Sequence, residues 1–272
     1  MLAAPLWDPH IRQFVGLLTV ADFIDLLRYY RRTDTDVSQL SSRSIADILA
    51  DPNVHIKHHQ FLAADASATL KHSCILLHGN AIDFLPVILP DDMRVLATLT
   101  YTNILEHLVT NFREQRRLFD DSVYDLGIGT YTNVVTVQPH QTLAECLQLM
   151  EIHGLSAVPV VDHEGRVLDV YSRSDITFLA KATDADDAIR NLDLPLSEIL
   201  AQQRADVTTP DRLQTCTMDH TLQTIFESFS QFKFNRLIVT DDQHRVVGVV
   251  SARDLVAYFV GNDTENSLVG NN

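Results

Sequence analysis

The chain has 272 residues, 46% of them hydrophobic, and 36 acidic against 21 basic side chains set a formal net charge of −15. A chain of that length buries one large or two ordinary cores, and that charge excludes a protein held to nucleic acid by a bulk positive field. No apolar run approaches the roughly 18 residues of a membrane span, and the opening MLAAPLWDPH has neither the basic nor the apolar region of a signal peptide.

In chain order, Phe14–Leu18 reads as a strand and Val20–Tyr30 as the helix after it. The chain thus starts almost at once in the second half of a unit, as if the front half were missing. Arg31–Gln39 is a polar linker, Ser44–Leu49 a short helix stopped by Asp51-Pro52-Asn53, and His55–Gln60 a histidine-rich loop. Ala66–Gly79 has helical periodicity, with Gly79 as its C-cap. Leu85–Leu89 and Val95–Leu99 pair across Pro90–Arg94, and Tyr101–Phe112 closes the unit. The charged Arg113–Ser122 separates two halves.

Past it, Val134–Val137 reads as a strand and Leu143–His153 as a helix. Ala157–Val161 and Val167–Tyr171 are β-branched runs joined by the turn Asp162–Gly165, and Ser172 opens a helix carried by Ile176, Leu179 and Ala180. Thr183–Asn191 is an acidic linker. Leu196–Gln203 and Leu222–Phe232 are helices, Asn235–Ser251 is a hairpin, Ala252–Val260 is a helix, and the polar tail 261–272 is expected to be disordered. Cys74, Cys146 and Cys216 are odd in number and sit in apolar helical patterns, which favours buried thiols in a reducing compartment over a disulfide.

One unit recurs: strand, polar turn, strand, then a hydroxyl three residues ahead of Asp or Asn at the head of a helix. Its junctions are Thr19/Asp22, Thr100/Asn103, Ser172/Asp175 and Ser251/Asp254, roughly 80 residues apart. Modules this small pack together to bury their sheets. A hydroxyl and a carboxylate at a strand-to-helix junction suit a ligand with a phosphate at one end and a diol at the other. The same spacing also suits a helix cap, in which the hydroxyl accepts from the backbone and the acid returns the bond. Both readings stand. The cluster His55, His58 and His59 lacks a Cys or Asp partner, so no metal is expected. Gly127 and Gly129 lack the third glycine of a dinucleotide fingerprint, and neither a phosphate-binding P-loop nor kinase motifs appear, so no enzyme is expected.

The repeat resembles the CBS module. The supporting stretches are FVGLLTVAD (Phe14–Asp22), IGTYTN (Ile128–Asn133), SAVPVVD (Ser156–Asp162), GRVLDVYSRSD (Gly165–Asp175) and Arg236–Asp254. More narrowly, Trp7–Val260 resembles the gamma-subunit family of AMP-activated protein kinase. That resemblance implies an α/β fold of tandem modules, two side-by-side (Bateman) pairs in a pseudo-symmetric disc with the first module truncated. The modules fall at residues 1–35, 36–113, 123–183 and 192–260, followed by the tail 261–272. It implies a cytoplasmic or nuclear regulatory subunit without catalysis, binding AMP, ADP or ATP and no metal, with alpha and beta kinase subunits as partners.

The family's ribose-binding aspartates correspond to Asp22, Asp175 and Asp254; a carboxylate accepts from both ribose hydroxyls by charge-assisted bonds. Thr19, Thr130, Ser156, Ala157, Ser172 and Ser251 match contact positions, and Arg204 and Arg236 are the phosphate candidates because a guanidinium fork fits phosphate bidentately. Departures point to weaker sites. Asn103 replaces the second aspartate, Asp83-Phe84 a His-Arg pair, Thr102 a lysine, Gly154 and Asn235 an Arg and a His, and Arg253 a small hydroxyl residue. The first-module site is expected to be crippled, and those on Asp175 and Asp254, sharing Arg236, to be retained. A scaffold that keeps the fold but has lost nucleotide regulation is the alternative, and the regulatory part of a larger CBS-containing enzyme or transporter is a third option.

Overall fold

The computed structural model describes residues 3–33, 43–51, 61–80, 82–91, 93–111, 120–175, 182–205, 213–232 and 234–269. The histidines 55, 58 and 59 and the helix expected from Ile176 lie outside them. The chain forms two compact units that interleave the repeats. The first unit is Met1–Phe61, Val135–His163 and Leu168–Thr209; the second is Leu62–Val134, Glu164–Val167 and Pro210–Asn272.

In the first unit, β1 (Ala3–Asp8) pairs antiparallel with β2 (Gln13–Thr19). The sequence reading gave the first repeat its second half only, yet both strands of the hairpin are present. Pro5 and the break at Leu6/Trp7 disguise the first strand, and both are tolerated because β1 lies at an edge. Trp7 faces Phe14, ring centroids 5.0 Å apart, and Phe14 stacks on Phe61. The helix α1 (Val20–Thr33) follows, and α2 (Ile45–Leu49) starts from a capping box of Ser44 and Asp47.

The third repeat shares this unit. Its helix α5 (Leu143–Ile152) starts from a capping box of Thr142 and Glu145. The strands β6 (Ala157–Val161) and β7 (Val167–Ser172) form a two-stranded sheet. Gly165 takes φ 80° in the turn between them, the left-handed conformation glycine adopts at no cost. In place of a strand at Val134–Val137, Val137 alone bridges Val160 in parallel. Ile24 and Leu27 of α1 join Leu143, Cys146, Leu147 and Met150 of α5, Val158, Val160 and Tyr171 in one core. Each such side chain contributes about 1.5–3 kcal/mol through burial, so the first repeat's helix is bound into the third repeat's interior.

The run Thr183–Asn191, read as a linker, instead holds α6 (Ala185–Asn191). Asp184 caps it by accepting from the Asp187 N–H at 2.8 Å, and Asp186 and Asp187 sit in the first turn, where the helix dipole favours anions. Ala188 turns inward. The acidic run is therefore a helix start. The next helix, α7, spans Leu196–Ala205.

The second unit shows one topology twice. The strand β3 (Ala64–Asp65) pairs parallel with β4 (Leu85–Ile88), which pairs antiparallel with β5 (Val95–Leu99). Likewise β8 (Thr215–Cys216) pairs parallel with β9 (Arg236–Thr240), and β9 antiparallel with β10 (Val246–Ser251). The helices are α3 (Leu70–Gly79), α4 (Tyr101–Asn111), α8 (Leu222–Phe232) and α9 (Ala252–Val269). Three local expectations change. Asn80, not Gly79, caps α3, its side chain donating to the Leu76 carbonyl at 2.8 Å. Cys216 lies on a strand, and α9 runs past Gly261 to Val269. Leu77, Ile104, Leu105, Ile225, Phe229, Val239 and Leu255 fill the common core of the second and fourth repeats.

Candidate functional site

Each repeat ends its hairpin on a hydroxyl residue followed three positions on by an Asp or Asn, and three of the four junctions close on themselves through that side-chain oxygen. At the first, the Thr19 N–H and hydroxyl both donate to Asp22 Oδ2, at 2.6 and 2.7 Å, and Asp22 N–H returns to the hydroxyl at 3.3 Å. At the fourth, Ser251 donates to Asp254 Oδ2 in the same two ways, at 2.8 and 2.7 Å, with the return bond at 3.2 Å. At the second, Asn103 Oδ1 takes the same place, at 3.2 and 2.7 Å from the N–H and hydroxyl of Thr100. The capping reading therefore holds at these three. It does not use up an aspartate: a carboxylate has about four lone-pair positions, and the cap occupies one oxygen.

The third junction is built differently. Ser172 is buried, and its hydroxyl bonds to the Ser174 hydroxyl at 2.8 Å and accepts from the Ser174 N–H at 3.3 Å. Asp175 N–H donates to the Ser172 carbonyl at 3.0 Å, and its side chain is buried. Arg173 N–H donates to the Ser156 carbonyl at 2.9 Å, which brings Ser156, and Ala157 at the start of β6, beside Ser172.

In the second unit the register does the positioning. Arg236 opens β9 directly opposite Ser251, the last residue of β10, so the Arg236 backbone stands beside the Asp254 junction. Thr130 exchanges two backbone bonds with Val249, both 2.9 Å, two residues before Ser251. Glycine makes this approach feasible. A Cβ on Gly129 would lie 2.8 Å from the Val249 carbonyl oxygen, its φ is 110°, and a Cβ on Gly248 would lie 2.5 Å from the Tyr131 ring. Gly129 thus serves packing against β10, whereas Gly127, at φ 68° with open space around it, serves the left-handed turn before it. In the second repeat Thr102 bonds Asn235 at 3.2 Å.

Thr19, Asp22, Ser156, Ala157, Ser172, Asp175 and Arg204 belong to the first unit, and Thr130, Arg236, Ser251 and Asp254 to the second. Arg204 is engaged: its Nε and Nη2 donate to Asp169 Oδ2 at 3.0 and 2.7 Å. The cleft at the hairpin turns of the third and fourth repeats is lined by Glu164, Arg166, Gln243 and Arg245 and contains none of the predicted residues. Its arginines are ion-paired, Arg245 with Asp241 at 2.7 Å and Arg166 with Glu164.

Burial raises the thiol of Cys74 to about 11 and those of Cys146 and Cys216 to about 12, so all three are protonated at neutral pH. Among the described residues, no group of three or more His, Cys, Asp or Glu is placed to hold a metal ion, and no helix is long and apolar enough to cross a membrane.

Sequence reasoning missed Arg173, Asp169 and the close approach of Gly129 to Val249 and of Gly248 to Tyr131. Arg173 carries a readable signal, a cation inserted between two junction hydroxyls. Asp169 and Gly248 have no meaning until the strands are paired.

The CBS domain model matches residues 124–181 and 205–261. The chain is 30% identical over 270 residues to the 5'-AMP-activated protein kinase subunit gamma of Dictyostelium discoideum, covering 97% of this chain and 46% of that protein. The Saccharomyces cerevisiae protein of the same description is 29% identical over 266 residues, covering 96% of this chain and 80% of it. The human gamma-3 subunit is 28% identical over 261 residues, covering 95% of this chain and 52% of that subunit. The chain therefore spans about half the length of the Dictyostelium and human relatives and four fifths of the yeast one. Among solved structures, a Methanocaldococcus jannaschii protein described as an archaeal homologue of g-AMPK superposes with a TM-score of 0.70 at 16% identity, over 95% of this chain and 88% of that one. A conserved Pyrococcus horikoshii protein superposes with a TM-score of 0.55 at 15% identity, over 94% and 89%.

Proposed function

From a chain that carries two CBS domains and is similar over nearly its whole length to gamma subunits of AMP-activated protein kinase, we propose a regulatory subunit that binds adenine nucleotides and reports energy status to a protein kinase. The observation that carries this reading is the register of β9 and β10, which sets Arg236 across from Ser251 at the head of the Asp254 helix. A diol accepted by the remaining oxygen of Asp254, with phosphate on the Arg236 fork and hydroxyl contact from Ser251 and Thr130, uses each group for what it does best. Asp175, with Ser172, Ser156 and Ala157, forms the corresponding ribose site of the third repeat, and Arg204 its phosphate cation. Thr19 and Asp22 form the weaker site of the first. AMP, ADP and ATP are the ligand class, the alpha and beta kinase subunits are the partners, and the compartment is cytoplasmic. The subunit performs no chemistry. Nucleotide shifts the kinase only by the difference in its affinity for two states of the complex.

Asp254→Asn is the informative variant. The second repeat shows that Asn keeps the cap, with Thr100 bonded to Asn103 at 2.7 Å, so only the charge for the diol is lost. Calorimetry with AMP and ATP is expected to show affinity lowered about tenfold or more in Asp254→Asn and in Asp175→Asn, since a hydrogen bond to a charged group is worth about 1.5–3 kcal/mol. Unchanged affinity in both variants rules the assigned sites out.

A second reading, a scaffold subunit with weakened nucleotide binding, is favoured by one contact. Arg204 is held in a two-point pair with Asp169, so phosphate has to compete with a carboxylate. Absence of any thermal shift in millimolar nucleotide, with co-purification of kinase subunits retained, selects this reading.

A further inference from the structure

The first and third repeats meet in the first unit at a set of charges that neither junction motif accounts for. Arg173 sits between Ser172 and Ser174, and its side chain is only 10% exposed. Its Nη2 donates to Asp25 Oδ1 at 2.6 Å, and its buried Nε makes no hydrogen bond. Asp25 is one helical turn past Asp22 on α1, and its side chain is 18% exposed. Arg28, one turn further, lies 3.4 Å from the same Asp25 oxygen and donates to Glu151 Oε2 of α5 at 2.8 Å. The chain of contacts runs Glu151, Arg28, Asp25, Arg173, and it joins residues 148 apart in sequence at Asp25 and Arg173.

We propose that Asp25 is a positioning residue: from the first repeat's helix it fixes the Arg173 guanidinium and, through it, the Ser172–Asp175 turn of the third repeat. The reason is geometric. The Arg173 backbone N–H is committed to Ser156, and its side chain leaves the junction toward α1. Both ends of one residue in the turn that presents Ser172, Ser174 and Asp175 are therefore tied, the backbone to Ser156 and the side chain to Asp25. A guanidinium this buried has to be paired, because an unpaired one carries the full cost of desolvation. Asp25 supplies that pairing from an element whose own position is set by Ile24 and Leu27 in the shared core. The third-repeat turn is thus placed by the first repeat, and a change at Asp25 reaches it without touching any proposed ligand contact. The consequence for nucleotide binding rests on the proposed reading of Asp175; the positioning itself does not.

Amide hydrogen exchange on the full chain without nucleotide tests the positioning, and AMP calorimetry on the same samples tests its consequence. Two variants are needed, because Asp25→Asn leaves Arg173 buried beside a neutral partner and lowers stability. The second, Asp25→Leu with Arg173→Met, replaces the pair by apolar groups of similar size, an exchange that buried ion pairs often tolerate without loss of stability.

The expected result is exchange at the Arg173, Ser174 and Asp175 amides faster by about tenfold in both variants, the size of a typical coupling in a charged pair. Amides of β9 should be unchanged in the double variant, whose melting temperature stays near wild type, and Asp25→Glu should restore protection. AMP affinity should fall in parallel. Junction exchange within twofold of wild type in the double variant overturns the proposal. If wild type binds no AMP, the nucleotide reading fails, and the exchange data still decide the role of Asp25.

Discussion

The third and fourth junctions share a motif and differ in what sits inside it. Ser172-Arg173-Ser174-Asp175 and Ser251-Ala252-Arg253-Asp254 both place a hydroxyl three residues before an aspartate. The residue after the hydroxyl turns inward in both, Arg173 at 9% exposure and Ala252 at 3%. In the fourth repeat that residue is a methyl group absorbed by the core, and Asp254 closes a local cap. In the third it is a cation, which the core cannot absorb, and it reaches out to Asp25. The second repeat makes the same inward turn with Tyr101, whose buried hydroxyl has no hydrogen-bond partner and whose phenol burial raises to about 12. One inward position therefore decides whether a junction stands alone or depends on a neighbouring repeat.

The sharpest way to break the comparison is to remove both arginines in turn. Arg173→Ala removes the shorter of the two arginine contacts of the largely buried Asp25, leaving Arg28 at 3.4 Å, and is expected to cost about 3 kcal/mol. Arg253→Ala, at a half-buried position, should stay within about 0.5 kcal/mol. Denaturant melts compare the two, and equal costs contradict the distinction.

Next in size is Gly129→Ala. The added methyl meets the Val249 carbonyl and the backbone is left-handed, for an expected loss of about 1–3 kcal/mol. Gly154→Ala has φ 64° but no atom within 4 Å of the new methyl, and should lose about 1 kcal/mol from backbone conformation alone.

Smaller again is the cap. Ser251→Ala should cost about 1 kcal/mol, whereas Asp254→Asn should leave the melt nearly unchanged while weakening AMP. If both variants lower stability equally, Asp254 serves the fold only.

The smallest effect is on the thiols. Ellman's reagent at pH 8 should label none of Cys74, Cys146 and Cys216 until the chain unfolds, because their raised values leave them protonated and burial shields them.

Much of this was legible in the sequence because the repeat announces itself locally. Ala157–Val161 and Leu222–Phe232 are bounded in the structure as their patterns require, and hairpin turn chemistry placed Gly165. What was hidden depends on partners. Ala3–Asp8 looks like no strand until it lies against β2, and the acids of 183–191 look like a linker until Asp184 is seen to cap a helix whose Ala188 is buried. At the site, the acid and hydroxyl positions could be read along the chain. That Arg204 is claimed by Asp169, and Arg173 by Asp25, could not, since the partners are 35 and 148 residues away and nothing local predicts them.

The most direct measurement is a crystal structure of the chain soaked with AMP. The account predicts a ribose on Asp254 with its phosphate at Arg236, and a ribose on Asp175 where the third site is filled. Nucleotide bound away from both aspartates, or none at millimolar AMP in a lattice that leaves both junctions open, would contradict it.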